Sequence, residues 1–555
     1  MKKLKGLIAS ILLCFGILVL AACGKKSSGI TAKDVDMKVT SITKNSATIK
    51  LTFTENENLS NRTATAYVSA YKITDDGDEF HQRKDVSFTG DIYTSSTVSF
   101  TSLATDQEYE FVLYVTYKKA NKKITSVKAT TTSYVSSEIA STSDFKENLV
   151  NDTDGDFVLT SDLDFETDGE KEALSLFSTE AKAFMGTLDG GIYENGQLVG
   201  CHKISNFKLG SATYCGLFGY LKNATIKNLI IENVVVDYSS KSNSSIGALA
   251  GYSIGSYVEN VEVNNVSFKI SASTSAEQNT GGVIGYSERS SYTNVIGNEI
   301  DINYTSAKIK INVGLFAGKI KGDALKNDTV AKSCGVTGKL TLVSDYTSSS
   351  GDSGYIYAGG FVGSLNAIGE ITDCYADVES VISTNRQNGR TYDVYIGGFV
   401  GANGPELTTM YVTKCLALVK LTIYGGPIST DVEFDYTQYY TDYFIATNKG
   451  YVGGFIGKAT GVFRGITESY AMLLEQPTIY AAYTKVVKEA EGENPAETEQ
   501  VLFVNEFIGS YTGNAADKDT YLPECDNHVL TPNSTSAPSE LSETLQNLVT
   551  ANLSK

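Results

Sequence analysis

The chain has 555 residues and a formal net charge of −18. Such a charge repels phosphate backbones and argues against nucleic acid as a partner. The 50 glycines, 7 prolines, 34 tyrosines and absent tryptophan, with long runs of Thr, Val, Ile and Ser, favour strands over helices. The predicted fold class is therefore all-β.

The first 23 residues have the order of an export signal. A basic opening, Met1–Lys5, precedes an apolar run, Leu7–Leu20, that is too short to span a membrane. The run ends in Leu20-Ala21-Ala22-Cys23, which resembles the lipobox of bacterial lipoproteins. The resemblance implies that residues 1–22 are a signal peptide, that Cys23 carries acyl chains, and that residues 23–34 are a tether on the outer face of the cell membrane. The alternative is an ordinary secretory signal in which Cys23 is incidental.

Residues 35–134 are predicted to form a β-sandwich. Six short strands with alternating polarity are predicted, at residues 37–43, 47–54, 64–73, 97–103, 108–117 and 124–131. The segment Leu103–Val112 resembles the E–F corner of fibronectin type III domains, in which a tyrosine, here Tyr109, bonds back to the backbone. The resemblance implies an immunoglobulin-like spacer. The family's usual tryptophan is missing, which leaves another immunoglobulin-like type open.

Glycine-framed apolar segments recur through most of the remaining chain. With periods that begin near 33 residues and then lengthen, they indicate a solenoid with loop insertions. A degenerate eighth copy is predicted at Glu506–Gly509. The seven clear copies are Gly216–Gly219, Gly247–Gly251, Gly281–Gly285, Gly314–Gly318, Gly359–Gly363, Gly397–Gly401 and Gly453–Gly457.

A second marker follows each glycine frame. Asn228-Leu229, Asn260-Val261 and Asn294-Val295 come nine residues after the closing glycine, and Ser333-Cys334, Asp373-Cys374 and Lys414-Cys415 follow after insertions. The second residues of these pairs are predicted to stack in one core column. Cys374 and Cys415 would be neighbours there, so a disulfide between them is the alternative to two buried thiols.

The two markers resemble the GLUG repeats of bacterial surface proteins over about residues 210–475. Residues 157–165 and 184–191 resemble the first coils of pectate-lyase-like β-helices. The resemblance implies a right-handed parallel β-helix over residues 135–515, followed by a C-terminal segment at 516–555. A capped helix is predicted at Ser539–Val549, covering the open end of the solenoid, and an acidic solvated loop is predicted at Lys488–Gln500.

Several segments imitate catalytic motifs. Gly251–Gly255 fits a nucleophile elbow and Gly351–Gly354 fits a serine-protease signature, but the three histidines, His81, His202 and His528, offer no credible base for either. No His-Glu-x-x-His pattern is present. Both matches are interpreted as chance.

The run Asp152-Thr153-Asp154-Gly155-Asp156 is a weak calcium candidate. Alternate carboxylates suit Ca²⁺, but the glutamate that an EF-hand loop needs at its twelfth position is replaced by Leu163. A turn into the first coil is the favoured interpretation. Asp162, Asp164 and Asp189 could extend such a site or form a lyase-like cluster, although no basic partner is evident. No cofactor is predicted.

The insertion at residues 434–444 is rich in tyrosine and is the candidate contact surface, through Tyr436, Tyr439, Tyr440 and Tyr443. The alternative is a longer strand that covers the flank of the β-helix. The predicted function is therefore a non-enzymatic, lipid-anchored adhesion or ligand-binding protein, with a protein or glycan of a host or neighbouring cell as partner. Two alternatives remain open: a β-helix that binds or degrades polysaccharide, and a structural component of the envelope.

Overall fold

The chain divides into two compact units, Met1–Val135 and Ser136–Lys555. The structure is a computed structural model of the full sequence. The structure describes residues 31–42, 46–53, 64–74, 77–86, 96–101, 103–104, 107–117, 120–131, 137–167, 169, 173–240, 242–274, 276–306, 310–322, 329–346, 354–366, 369–386, 392–403, 410–424, 450–460, 465–480, 484–488, 497–500, 502–505, 508–512 and 529–553.

Two antiparallel sheets form the described part of the first unit, after a short 3₁₀ helix at Ala32–Asp34. One sheet has the order β1-β2-β5 and the other the order β4-β3-β6-β7. Side chains of both sheets, such as Ile49 and Phe111, share one core. The strands are β1 (Val35–Ile42), β2 (Ala47–Phe53), β3 (Ala64–Thr74), β4 (Gly77–Val86), β5 (Ser96–Phe100), β6 (Glu108–Tyr117) and β7 (Ala120–Thr130).

The six strands predicted here are confirmed within a few residues, and one strand was missed. Strand β4 is almost entirely exposed, so its sequence lacks the alternation that marks a half-buried strand. It is an edge strand paired with β3, and Phe80 lies beside Tyr71 in that pairing. Tyr109 is 1% exposed, and its hydroxyl accepts a hydrogen bond from the backbone N–H of Ala104 at 2.8 Å. The predicted bond of this tyrosine to the backbone is therefore confirmed.

In the described residues, the coils of the second unit form a parallel β-helix of three sheets, and a separate two-stranded sheet is also present. We call the largest sheet I; it supplies the long strands of each coil, and only its β12–β13 pairing is antiparallel. Its strands are β8 (Ser137–Ile139), β9 (Asp156–Leu159), β10 (Leu163–Asp164), β11 (Thr187–Asp189), β12 (Gly191–Glu194), β13 (Gln197–Leu209), β16 (Thr225–Ser240), β19 (Tyr257–Ala272), β22 (Ser291–Ser306), β25 (Thr329–Lys332), β26 (Gly335–Tyr346), β29 (Gly369–Thr372), β30 (Tyr375–Arg386), β33 (Met410–Thr413), β34 (Leu416–Tyr424), β37 (Gly465–Thr467), β38 (Tyr470–Leu473), β39 (Thr478–Tyr480) and β44 (Val529–Leu530).

Two further sheets run beside each other along the β-helix, and the glycine frames connect them. Sheet II contains β14 (Tyr214–Cys215), β17 (Ser244–Ile246), β20 (Gln278–Gly281), β23 (Ile311–Gly314), β27 (Gly354–Gly359), β31 (Tyr392–Gly397), β35 (Gly450–Gly453) and β42 (Leu502–Asn505). Sheet III contains β15 (Phe218–Lys222), β18 (Ala250–Ile254), β21 (Ile284–Glu288), β24 (Ala317–Lys321), β28 (Val362–Asn366), β32 (Val400–Asn403), β36 (Ile456–Thr460) and β43 (Ile508–Thr512). Strands β42 and β43 confirm the predicted eighth coil.

The predicted core column is confirmed. Leu229 pairs with Val261, and Val261 with Val295. Cys334, Cys374 and Cys415 continue the column as free, fully buried thiols, and Ser469 follows them. Burial raises the pKa of the Cys374 thiol well above its usual value, so the group stays neutral. A second interior column stacks Phe316, Phe361, Phe399 and Phe455 with ring centroids 4.5–4.9 Å apart.

Two α-helices pack on the β-helix unit in the described residues, which also contain a 3₁₀ helix at Glu180–Lys182. Helix α1 (Thr142–Asn151) was missed; Ser141 caps it by accepting a bond from the N–H of Asp144, and it buries Phe145 and Leu149 in the β-helix core. Helix α2 (Glu543–Asn552) begins four residues later than the predicted helix. None of the helices described is long and apolar enough to cross a membrane.

The predicted position of the C-terminal helix is wrong. Leu545 and Val549 of α2 pack with Leu416, Leu418 and Met472. Their chain neighbours Ala417 and Ala471 belong instead to the interior core. Because successive strand residues point to opposite faces, α2 covers the outer face of sheet I and not the open end of the solenoid.

The predicted loop at Lys488–Gln500 is also corrected in part. Its two ends pair as an antiparallel hairpin, β40 (Thr484–Lys488) with β41 (Glu497–Gln500). Only residues 489–496 lie outside the described residues in this stretch. A hairpin of this kind lets the chain leave and rejoin the coil without disturbing the stacking that resumes at β42.

The buried position of Cys374 can be tested by two substitutions. Cys374→Val keeps an apolar side chain of similar size and should cost less than about 1.5 kcal/mol of unfolding free energy. Cys374→Asp buries a carboxylate without a partner and should cost several kcal/mol. Denaturant unfolding of the two variants measures the difference. Equal stabilities would mean that Cys374 faces solvent.

Candidate binding groove

Sheets II and III meet at a sharp corner made possible by glycine. A Cβ atom added to Gly251 would lie 2.5 Å from the backbone nitrogen of Cys215 and 2.7 Å from the carbonyl oxygen of Ser245. One added to Gly457 would lie 2.5 Å from the nitrogen of Ile396. Only glycine fits where the backbone of sheet III approaches that of sheet II so closely. The glycine frames therefore define a crease that runs along the β-helix.

Two columns of outward-facing side chains line this crease, and we call the surface between them the corner groove. Several of these residues are nearly inaccessible although they point away from the core: Asn312 is 1% exposed, and Tyr220 and Tyr395 are each 4% exposed. Outward-facing side chains of the two sheets contact each other across the corner, as Tyr214 with Tyr220 and Lys458 with Tyr395 do, so the outer surface is concave there and its deepest side chains are covered. The sheet II column is Tyr214, Ser245, Asn279, Asn312, Tyr357, Tyr395 and Tyr451, and the sheet III column is Tyr220, Tyr252, Tyr286, Lys319, Ser364, Ala402 and Lys458.

Tyrosines fill the first third of the groove. The rings of Tyr220 and Tyr252 stack at 4.7 Å, and Tyr214 meets Tyr252 edge to face at 5.4 Å. The hydroxyl of Tyr252 donates to Glu288 Oε2 at 2.6 Å. Burial and this carboxylate raise the pKa of Tyr252, and burial with nearby Glu180 raises the pKa of Tyr220 to about 12. These phenols are therefore neutral hydrogen-bonding groups at physiological pH.

The middle of the groove holds a compensated ion pair. Lys319 Nζ lies 2.8 Å from Glu277 Oε1, and the hydroxyl of Tyr355 donates to Glu277 Oε2 at 2.9 Å. Burial alone would raise the pKa of Glu277, but Lys319 and the hydrogen bonds outweigh it and hold the pKa below its usual value. Below them, Asn312 donates to Asn279 at 2.9 Å. The charges of Lys319 and Glu277 therefore compensate each other beside two amide side chains.

The last third of the groove returns to tyrosines. Tyr395 and Tyr451 stack with centroids 5.5 Å apart and an interplanar angle of 6°. Lys458 Nζ donates to the Tyr395 hydroxyl at 3.0 Å and lies 4.5 Å from the ring centroid. Burial lowers the pKa of Lys458, which Asp393 partly offsets, and burial with Asp393 raises the pKa of Tyr357 to about 12.

The sequence carries a signal for these columns in the tyrosines that stand at a constant distance from the glycine frames. Tyrosine follows the closing glycine directly at Tyr220, Tyr252 and Tyr286. It also stands two residues before a frame at Tyr395 and Tyr451. A residue at a constant offset from the glycine frame must occupy a constant place in the coil.

Two of the three carboxylates considered as a lyase-like cluster, Asp164 and Asp189, serve instead as caps of two asparagine ladders. In the first ladder, Asn294 donates to Asn260, Asn260 to Asn228, and Asn228 to Asp189, each at 2.9 Å. Each amide donates toward the N-terminal end, so the first member needs a partner that only accepts, and an ionised carboxylate is such a group.

The second ladder has the same design. Asn265 donates to Asn233, Asn233 to Asn206, and Asn206 to Asp164 at 3.0 Å. All six asparagines have a φ of 51–60°, the left-handed conformation that asparagine tolerates. Asp162 is separate from both ladders: it accepts from the backbone N–H of Lys203 and contacts His202 Nδ1, each at 3.0 Å.

The calcium candidates do not converge. Asp152 and Asp154 are exposed, whereas Asp156 is 5% exposed and begins strand β9. Asp152 is the C-cap of α1, and its carbonyl accepts the N–H of Gly155, so the segment is a turn into the first coil. Within the described ranges, no group of three or more His, Cys, Asp or Glu residues is placed to hold a metal ion.

The elbow-like match at Gly251–Gly255 lies on strand β18 and the start of the turn that follows. Ser253 is fully buried on the inner side and bonds to Ser290 at 2.9 Å, so it cannot meet a substrate. The candidates Cys23, Tyr436, Tyr439, Tyr440 and Tyr443 lie outside the described residues, as does His528.

A family model agrees with part of the repeat assignment. The family described as the GLUG motif matches residues 354–382. The solved structures similar to this chain include an IgA1 protease, at 14% identity and a TM-score of 0.33 over 78% of this chain and 30% of that one. They also include a family 28 exopolygalacturonase from Yersinia enterocolitica, at 8% identity and a TM-score of 0.15 over 86% of this chain and 98% of that one. The chain thus spans about a third of the IgA1 protease, and no curated protein matches its sequence.

The glycine corner makes a prediction about stability. Gly251→Ala should cost about 1–3 kcal/mol or more, because its methyl group would meet the backbone of sheet II. Gly200→Ala is the matched control, since its Cβ would meet nothing closer than 3.5 Å. Thermal unfolding measures both. Equal melting temperatures for Gly251→Ala and Gly200→Ala would contradict the close approach of the two sheets.

The cap of the first ladder makes a prediction about pH. Burial opposes ionisation of Asp189, but bonds from Asn228, Gly191, Lys227 and Tyr193 outweigh it and hold its pKa below the usual value. A lowered pKa stabilises the fold above the unfolded value of about 3.9, and that stability is lost as the pH falls through the folded pKa.

Asp189→Asn should therefore lower stability by about 1–3 kcal/mol at neutral pH, and the deficit should shrink as the pH falls from about 5 to about 3. Denaturant unfolding over that range checks it. The control is Asp237→Asn, at an exposed position of β16, which should run parallel to the parent. A constant deficit for Asp189→Asn would contradict the cap.

Proposed function

We propose that the protein is a lipid-anchored extracellular protein that binds a ligand along the corner groove and so serves in adhesion. One observation carries the proposal: outward-facing side chains at equivalent places in seven coils form one continuous concave surface rich in tyrosine. Tyrosine supplies contact area and a hydrogen-bonding tip at little cost in side-chain entropy. A long surface of this kind suits recognition of an extended partner.

The anchor and the stalk complete this proposal. Cys23 would hold the chain on the membrane, and the first unit would act as an immunoglobulin-like spacer. Support for the spacer comes from the strand orders β1-β2-β5 and β4-β3-β6-β7 and from the bond between Ala104 N–H and the Tyr109 hydroxyl. Both features are typical of fibronectin type III domains.

The binding role is favoured over catalysis. Asp164 and Asp189 are engaged by their asparagine ladders, and the hydrogen bonds from Asn206 and Thr167 hold the pKa of Asp164 below its usual value. A general acid needs a raised pKa near the working pH. The bonding of these carboxylates therefore suits structural caps better than acid–base catalysts.

Whole bacterial cells that display the chain test anchoring and adhesion together. Cells carrying the parent should retain the protein in the membrane fraction and bind immobilised host matrix or glycans, measured by cell counting. Cys23→Ala should leave the protein unprocessed or release it, and adhesion should fall with it. Parent-like fractionation of Cys23→Ala would contradict the anchor.

Two variants, each with several substitutions, locate the contact surface. Tyr252→Ala with Tyr286→Ala changes the corner groove, and Ser in place of Tyr436, Tyr439, Tyr440 and Tyr443 changes the insertion. Loss of adhesion in the groove variant alone supports the proposal, whereas loss in the insertion variant alone assigns binding to the insertion. Release of sugar from any polysaccharide by the parent would establish an enzyme instead.

A further inference from the structure

We propose that the ligand of the corner groove is an uncharged glycan chain that lies lengthwise across successive coils. This inference rests on the proposed function and names the class of ligand for the same surface. The pairing of the backbone around the groove, the balance of its charges and the spacing of its hydrogen-bonding groups support it.

A peptide strand is disfavoured because the groove offers it no backbone partners. Strands β18, β21 and β24 of sheet III each pair on both sides with neighbouring coils, and so do β17, β20 and β23 of sheet II. Peptides that add to sheets need an open edge, with free N–H and C=O groups. Recognition inside this groove therefore depends on side chains.

A charged ligand is disfavoured because the charges in the groove already have partners. Lys319 pairs with Glu277 at 2.8 Å, Glu288 accepts from Tyr252, and Lys458 donates to Tyr395 near Asp393. A polyanion would approach a chain of charge −18, and a polycation would have to displace Lys319 from the half-buried carboxylate of Glu277. An uncharged ligand keeps these pairs intact.

The partly exposed tyrosines of the groove are groups that bind hydroxyls. The phenol of Tyr252 uses its proton on Glu288 and keeps acceptor capacity, and Tyr286 adds a partly exposed aromatic surface. Sugars present hydroxyls that both donate and accept, together with apolar C–H faces that pack on aromatic rings. The groove matches both features.

Repetition explains why a polymer, and not a single sugar, is the fitting ligand. Side chains occupy equivalent places once per coil, at the spacing of adjacent strands, roughly 4.8 Å, which is close to the length of one pyranose unit, although their types vary along the groove. Each further sugar therefore finds another set of contacts, and weak contacts at several coils combine into useful affinity. The hydroxyl pattern of one sugar unit would be recognised by hydrogen bonds to the central Glu277, Lys319 and Tyr355.

Titration calorimetry of the full chain in detergent against a panel of oligosaccharides tests the inference. The neutral probes are cello-, laminari- and manno-oligosaccharides of two to six units, and the charged probes are oligogalacturonate and chitosan oligomers. At least one neutral series should bind, with Kd falling as the chain lengthens, and with Kd below about 1 mM for the hexamer.

Groove variants then show where that ligand binds. Tyr286→Ala should raise Kd about tenfold, and Tyr355→Phe, which keeps the ring and the ion pair, should raise it several-fold. The control is Tyr257→Ala, since Tyr257 is 60% exposed on sheet I, outside the groove. Melting temperatures of the variants should match the parent, so that lost binding is not lost folding.

The outcomes separate this inference from the proposed function. Preference for oligogalacturonate or chitosan, or no neutral hexamer below about 1 mM, overturns the ligand class, while adhesion of cells can still succeed. Neutral binding that is unchanged in Tyr286→Ala and Tyr355→Phe overturns the location. Failure of cell adhesion together with failure of every titration overturns both proposals.

Discussion

Stacking of coils in register is the constraint on which the rest of the molecule depends. Because each strand pairs with the equivalent residues of the next coil, every place in the repeat becomes a column that runs along the solenoid. Residues in a column therefore take packing or hydrogen-bonding partners from the same column. Phe316 stacks on Phe361, thiol follows thiol from Cys334 to Cys415, and amide bonds to amide in the asparagine ladders.

The corner groove follows from the same constraint. One glycine without room for a Cβ makes a local kink, but the same glycine repeated in register makes a continuous crease. Insertions leave the crease unbroken: Gly397 pairs with Gly453 although residues 425–449 lie between them in the chain. The periods of the sequence lengthen for this reason, while the coils keep one cross-section.

The features predictable from the sequence were those that the columns repeat. The glycine frames, the Leu–Val–Cys column and the sandwich strands have periodic patterns, and the structure contains them. Features that occur only once in the chain were harder to predict from the sequence. Strand β4 has polar side chains on both faces, helix α1 is only ten residues long, and α2 was placed on the wrong surface because its partner is known only in three dimensions.

Residue type alone is also misleading where the role of a residue depends on the column to which it belongs. Asp164 and Asp189 have the chemistry of catalysts, yet they end ladders in which each amide donor already has an acceptor. Tyr220 and Tyr395 have the burial of core residues, yet they face the groove. Columns that bond only to themselves have little capacity left for a ligand. Tyr252 in the groove is different: it donates its proton to Glu288 of the next coil and keeps a lone pair to accept from a partner, so hydrogen-bonding capacity remains available in a concave place.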